Sequence, residues 1–346
     1  MGQCGPARGA GSTRSVVRAL ALGIAGALIF TGCTVERYWG GEKVADNGKA
    51  KIGLVTKTDT NPYFVLLRNA ARQQARKHGV EFSALAGRFD GDNAGQVTAI
   101  ENLVQQGATT ILITPNSSTG VLAAIDQARA KGVMVLALDT ATEPENAVDG
   151  TIATDNTEAG EKQGRYVRAA LGNTEPQLLM IDGTPGSSVD TERHTGFLRG
   201  FGMKEGDRRI LGADSANGDQ NMAQEAAENL LQRARSVNSV YTMNEPTARG
   251  FNAALQGSGL DPIVGSIDGG CQGVSNVRSG QIDATVMQFP AKMAQLGVDA
   301  AVEHAKSGKK VSGFHNTGSI VITDKPMPGV PSKNTEWGEK NCWGDT

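Results

Sequence analysis

The chain has 346 residues, with 34 Lys and Arg against 36 Asp and Glu and a formal net charge of −2. Setting aside Arg8, Arg14 and Arg18 of the N-terminal segment leaves 31 basic side chains facing 36 acidic ones. That balance argues against a nucleic-acid partner, which would want a basic face. From Lys51 to about Lys325 there is enough chain for two domains of ordinary size, and no repeat at a short fixed period is visible.

The N-terminal segment reads as a targeting signal. Met1 to Arg18 holds no acid, and "ALALGIAGALIF" (Ala19 to Phe30) is an apolar run too short for a membrane span and of the length of a signal-peptide hydrophobic region. It ends in "FTGC", where Thr31 and Gly32 precede Cys33. This resembles the lipobox of bacterial lipoproteins, with Phe30 standing where that pattern prefers Leu. The resemblance implies that residues 1–33 are a signal peptide with lipobox, that Cys33 is lipidated, and that the exported protein is anchored to the outer face of the cytoplasmic membrane in the cell envelope. A plain secretory signal cut nearby is the other reading. "TVERYWGGEKVADNGKA" (Thr34 to Ala50) reads as a tether.

Short apolar runs then alternate with helical stretches. "KIGLVT" (51–56), "VEFSALA" (80–86), "TTILITP" (109–115) and "VMVLALD" (133–139) have the composition of strands buried on both faces. Between them, stretches such as "AGQVTAIENLVQQGA" and "STGVLAAIDQARAKG" close on Gly, as helix C-caps do. The pattern restarts with "PQLLMID" (176–182), "RILGADS" (209–215), "SVYTMN" (239–244) and "PIVGSIDG" (262–269). "GTIATDNTEAG" (150–160) is the expected crossing between the two units. "ATVMQFP" (284–290) and "GSIVITD" (318–324) are late strands returning to the first and second units, which gives three hinge strands. The predicted fold class is α/β, with two similar doubly wound parallel-sheet lobes.

Of the four cysteines, Cys4 goes with the signal and Cys33 with the lipid, leaving Cys271 and Cys342. In an oxidising exported setting these two are expected to pair, joining the tail "WGEKNCWGDT" to the body, with two free thiols as the alternative. The tail has too little apolar pattern to dock unaided, and a bridge inside one lobe would leave hinge closure free.

In open α/β sheets ligands bind beyond the carboxyl ends of the strands. The strand ends here offer Asn61 with Tyr63 and Phe64, then Asn116, Asp139 and Thr140. The second unit offers Asp214, Asn217 and Asp219, then Asn244 and Glu245, then Asp268, and the crossing strand adds Gln288. Flat, bidentate side chains can meet adjacent hydroxyls, and an aromatic ring can cover the C–H face of a sugar. The competing explanation for Asp139 and Asp268 is helix capping. Enzyme readings lack support: there is no dinucleotide or P-loop glycine motif, and His78, His194, His304 and His315 are scattered. "GTPGSSVD" (183–190) is either an anion-binding helix start or an ordinary N-cap.

"TNPYF", "VLALDTA", "IATDN", "TERHTGF", "TMNEPTA", "SIDGG" and "ATVMQFP" together resemble the ribose-binding, LacI-like class of type I periplasmic binding proteins. "KTDTNPYF", "IDGGC" and "NCWG" further resemble the fructose-binding branch of ABC-transporter receptors. The resemblance implies a first lobe of residues 51–154 plus 289–317, a second of 155–288 plus 318–330, and a tail of 331–346. It implies ligand contacts from Asn61, Tyr63, Phe64, Asp139, Thr140, Arg193, Asn244, Asp268 and Gln288, with Tyr63 and Phe64 as an aromatic floor. Thr140 stands where ribose binders carry Arg, and "SANGDQ" (215–220) lacks their pocket-closing aromatic. The implied function is that of a monomeric receptor with no cofactor or metal, which delivers a monosaccharide or polyol to an ABC permease and its ATPase. Rival readings are a sensory receptor of the same fold signalling through a membrane partner, a LacI-type repressor, and an exported enzyme. The repressor would need a DNA-reading helix-turn-helix before Lys51, where the signal lies.

Overall fold

The computed structural model describes residues 50–234 and 236–344. The expected signal peptide with Cys33, and the tether as far as residue 49, lie outside the described residues. The chain begins β1 (Lys51–Thr56), α1 (Pro62–His78), β2 (Glu81–Ala86), α2 (Asn93–Gln105), β3 (Thr110–Ile113), α3 (Leu122–Ala130), β4 (Met134–Leu138) and β5 (Gly150–Ala153). It continues α4 (Asn156–Ala170), β6 (Leu178–Asp182), α5 (Ser188–Phe201), β7 (Ile210–Ser215), α6 (Gln220–Leu231), β8 (Ser239–Thr242), α7 (Glu245–Leu255), β9 (Ile263–Asp268), α8 (Cys271–Arg278) and β10 (Ala284–Met287). The last elements are α9 (Pro290–Ser307), β11 (Phe314–Asn316), β12 (Ile320–Ile322), β13 (Ser332–Lys333) and α10 (Thr335–Asn341).

Two sheets result, and each with its helices forms a lobe. The first has the order β2-β1-β3-β4-β5-β11 and is parallel throughout. The second runs β7-β6-β8-β9-β10-β12-β13, parallel except that β12 opposes β10. Strands β3 and β4 are buried along their whole length. Their alternate residues explain this: Leu112 and Leu136 face α1 and α9, while Ile111, Ile113 and Val135 face α2 and α3. In the second lobe α4 and α5 cover one face and α6 and α7 the other.

Helices α4 and α5 approach closely because glycines line their seam. A Cβ on Gly164 would overlap the carbonyl oxygen of Phe197, so a larger residue would push the helices apart. This contact fixes Asn156 on α4 beside Arg193 on α5, whose Nε donates to the Asn156 Oδ1 at 2.9 Å.

The chain passes between the sheets three times: after β5, after β10 and after β11. One sequence expectation is corrected here. β10 and β12, the two late strands, both belong to the second sheet, and the return to the first is made by α9 and β11. All three residues of β11 are exposed, so its sequence, "FHN", carries no apolar signal. The crossings are tied together, since the Thr154 hydroxyl donates to Gln288 Oε1 (3.1 Å) and the Asp155 N–H to Asn316 Oδ1 (3.2 Å).

The tail also departs from expectation, because it has regular structure. Asn334 caps α10, the Thr335 hydroxyl donates to Asp324 Oδ2 at 2.7 Å, and Trp337 joins a small apolar cluster with Val274, Met287 and Ile322.

Candidate functional site

Local sequence sets up the site. At the start of α1, Asn61 is the N-cap, its Oδ1 accepting from the Tyr63 N–H at 3.0 Å, and Pro62 opens the first turn. That geometry turns Tyr63 and Phe64 inward, both buried. Asn244 does the same for α7 in a reciprocal capping box with Thr247. Capping is therefore real at the two asparagines. At the two aspartates it is absent: Asp139 begins no helix, and the cap of α8 is Gly270.

Between the lobes lies a narrow polar cavity with about 30 Å³ of solvent-accessible volume. Eight of the nine residues named from the sequence line it: Asn61, Tyr63, Phe64, Asp139, Arg193, Asn244, Asp268 and Gln288. The ninth, Thr140, does not reach it; its side chain is fully buried and its hydroxyl donates to Asp139 Oδ2 at 3.1 Å. Of the other strand-end residues, Asp214 is exposed and Asp219 caps α6.

The acidic groups are held in place by donors from both lobes. The Tyr63 hydroxyl donates to Asp139 Oδ1 at 2.8 Å, so Tyr63 orients an acceptor as well as flooring the cavity. Burial and the Asp139 carboxylate push that phenol well above its ordinary pKa, which keeps it a donor. The Gln288 amide donates to Asp268 Oδ1 at 2.8 Å, and Arg193 Nη1 stands 3.9 Å from the same oxygen while donating to the Met243 carbonyl at 2.9 Å. Beneath Asp268, Glu245 accepts from the N–H groups of Gly269 (2.8 Å) and Gly270 (3.1 Å) and from the Thr285 hydroxyl (2.7 Å). Burial, and then the neighbouring Asp268, push the Glu245 carboxyl up; burial also pushes Asp268 up, against the pull of Arg193 and the Gln288 amide.

Among the described residues, the non-glycine positions with φ in the left-handed region are Asp139 (66°), Asn217 (47°) and Asp268 (150°). All three line this one cavity. Such conformations cost about 1–3 kcal/mol each and persist where the surroundings enforce them, typically at ligand sites.

The lobes are closed over the cavity. The Ser188 N–H donates to Ser118 Oγ (2.9 Å), the Ser118 N–H to the Gly186 carbonyl (2.9 Å), and the Ser188 hydroxyl both accepts from the Ala141 N–H (3.1 Å) and donates to the Ala141 carbonyl (3.2 Å). The "GTPGSSVD" segment thus works as an interlobe clasp.

Seven cavity residues lie outside the sequence-derived contact set: Lys57, Asp90, Thr184, Val189, Asn217, Gly218 and Met243. Lys57, buried, immediately follows β1 and donates to Ser187 Oγ at 3.4 Å. Asp90 follows β2 but is separated from its end by Gly87, Arg88 and Phe89. Burial, with help from Asp139 and Asp219 and against Lys57, pushes its carboxyl up to about 6. Asn61, Asp90, Asn217 and Gly218 also line a second, outer pocket that includes the exposed side chains of Phe89 and Met222.

Cys271 and Cys342 are disulfide-bonded. The bridge does not confine the tail to one lobe. The Cys271 N–H donates to the Trp343 carbonyl (2.8 Å), the Trp343 indole donates to the Gln288 carbonyl (3.2 Å), and its ring meets that of Tyr63 edge-on at 5.4 Å. Trp343 packs against the first lobe's core, so the tail spans the hinge.

A family model described as a periplasmic binding protein domain matches residues 52–310. The ribose import binding protein RbsB of Bacillus subtilis is 30% identical over 82% of this chain and 91% of its own length. The D-allose-binding periplasmic protein of Escherichia coli is 27% identical over 79% and 92%. Among solved structures, an ABC transporter solute binding protein from Bacillus halodurans with bound myo-inositol superimposes with a TM-score of 0.75 at 20% identity, covering 86% of this chain and all of that one.

Proposed function

Because the chain belongs to the periplasmic binding protein domain family, we propose that it binds a monosaccharide in the interlobe cavity and delivers it to the permease of an ABC importer. The observation that carries this reading is the convergence of Asp139, Asp268, Asn244 and Gln288 from strand ends, and of Arg193 from α5, on one cavity between the lobes. Carboxylates accept from vicinal hydroxyls, Arg193 and the amides donate to them, and the Phe64 ring offers an apolar face. The set recognises a neutral polyhydroxylated ligand. Fructose, or a related ketose, pentose or polyol, is the proposed class, supported by the fructose-branch segments "KTDTNPYF" and "IDGGC".

A thermal-shift screen over D-fructose, D-allose, D-ribose and myo-inositol tests this, because a ligand bound only by the folded state raises its stability, by about 2.7 kcal/mol at one hundred times Kd. An unmoved midpoint with every sugar, and no heat of binding, would reject the reading. Among the described residues no helix is long and apolar enough to cross a membrane. Membrane attachment is proposed through lipid on Cys33, and fatty-acid labelling of the wild type that vanishes in Cys33→Ser is the expected result.

A further inference from the structure

The acids of the cavity wall differ in what they already accept. Asp139 takes bonds from Tyr63 and Thr140, and Asp268 takes one from Gln288. Asp90 Oδ1 is buried with no partner among the described residues. Its other oxygen, Oδ2, stands 3.5 Å from where a Cβ on Gly218 would be. Asp90 comes from the β2–α2 loop of the first lobe and Gly218 from the β7–α6 loop of the second, so closing the cleft is what covers this carboxylate.

Lys57 offsets this burial only in part: its charge favours the Asp90 carboxylate, but its ammonium donates to Ser187, and Asp139 and Asp219 both oppose the charge on Asp90. The loop has little freedom to turn the acid outward. On one side Arg88 is paired with Asp92 at 2.8 Å, and on the other the Gly91 N–H donates to Asn116 Oδ1 at 3.0 Å. Asp90 also sits where the inner cavity meets the outer pocket, with Asn61, Asn217 and Gly218 completing the same wall.

We propose that Asp90 reads the hydroxyl at the mouth end of the bound sugar and makes lobe closure conditional on it, an inference that rests on the sugar-binding reading above. A ligand hydroxyl there donates to Oδ1. In its absence, bringing Gly218 over Asp90 strips water from a carboxylate and returns no donor, so the empty protein resists closing. The same carboxylate disfavours a ligand bearing an anionic group at that end, which restricts the class to neutral sugars with a free hydroxyl at this position.

Calorimetry on the full chain first identifies which of D-fructose, D-allose, D-ribose and myo-inositol binds. Monodeoxy derivatives of that sugar are then titrated into wild type and Asp90→Asn, and small-angle scattering is recorded on ligand-free wild type and Asp90→Ala. Asp90→Asn is expected to weaken the parent sugar roughly 10- to 100-fold, the scale of a hydrogen bond to a charged group. One monodeoxy derivative should show the same loss in wild type and no further loss in the variant. Ligand-free Asp90→Ala should have a smaller radius of gyration than wild type. Neither substitution removes an existing bond, so both variants should unfold no earlier than wild type. Unchanged affinity in Asp90→Asn, or equal loss for every derivative, overturns the hydroxyl assignment. An unchanged radius of gyration overturns the closure role. A wild type that binds none of the four sugars overturns the sugar-binding reading and this inference with it, a result distinct from a wild type that binds and a variant that binds equally.

Discussion

Asp268→Ala is expected to weaken sugar binding by about 3–4 kcal/mol, a several-hundred-fold rise in Kd. The carboxylate is buried, lies 3.9 Å from Arg193 and is oriented by the Gln288 amide at 2.8 Å. Removing it takes an anionic acceptor from the ligand and leaves two buried donors facing a gap. The fold should persist, because the loss of this charge eases the burial of Glu245, which continues to hold the N–H groups of Gly269 and Gly270. Asp268→Asn keeps the shape without the charge and should lose less, about 1–2 kcal/mol. Asp139→Ala should fall between the two, since both oxygens of Asp139 are already engaged by Tyr63 and Thr140. Isothermal titration measures all three, and wild-type affinity in Asp268→Ala would remove this residue from the binding site.

Breaking the Cys271–Cys342 bridge has the second large expected effect. The cysteines are 71 residues apart, for which the chain-entropy estimate is about 4 kcal/mol of stability. Cys342→Ser should lose somewhat less, because β13, the Thr335–Asp324 bond and the packing of Trp337 still hold the tail. The same variant should bind sugar several-fold more weakly. Trp343, next to the bridge, braces the ring of Tyr63, and Tyr63 in turn orients Asp139. Denaturant unfolding with and without reductant, paired with calorimetry, checks both effects. If reduction moves neither the midpoint nor the affinity, the tail holds itself in place without the bridge.

Most of the fold was legible because its strands are buried on both faces and so read as short, mostly apolar runs, as β1, β3 and β4 do. β11 escaped notice for the opposite reason, being an exposed edge strand. α10 is a seven-residue helix that buries only Thr335 and Gly338, too little for a periodic signal. The lining of the candidate cavity was legible where acids and amides directly end a strand, as at Asp139, Asp268 and Gln288. Thr140 adjoins Asp139 in sequence but does not line the cavity, because its side chain is buried and its hydroxyl is spent on Asp139 Oδ2. Asp90 stayed hidden because it lies four residues beyond β2, and only tertiary closure brings it against Gly218.

The three crossings also set an order in which the protein can become compact. The first lobe's core contains Ile52, Leu54 and Leu67 from the beginning of the fold together with Met293, Val298 and Val302 from α9. The strands of the second sheet from β6 to β10 are, by contrast, consecutive in the chain. A chain emerging from its N-terminus therefore carries α1 with one apolar side bare until almost the whole second lobe has followed it. Joining residues so far apart delays consolidation, since loop closure must precede any gain from the contact. The second lobe is the part able to collapse on local contacts, and α9 then completes the first. A fragment ending at Ala153 would hold five of the six strands of the first sheet and still lack α9, which shares with α1 the covering of one of their faces.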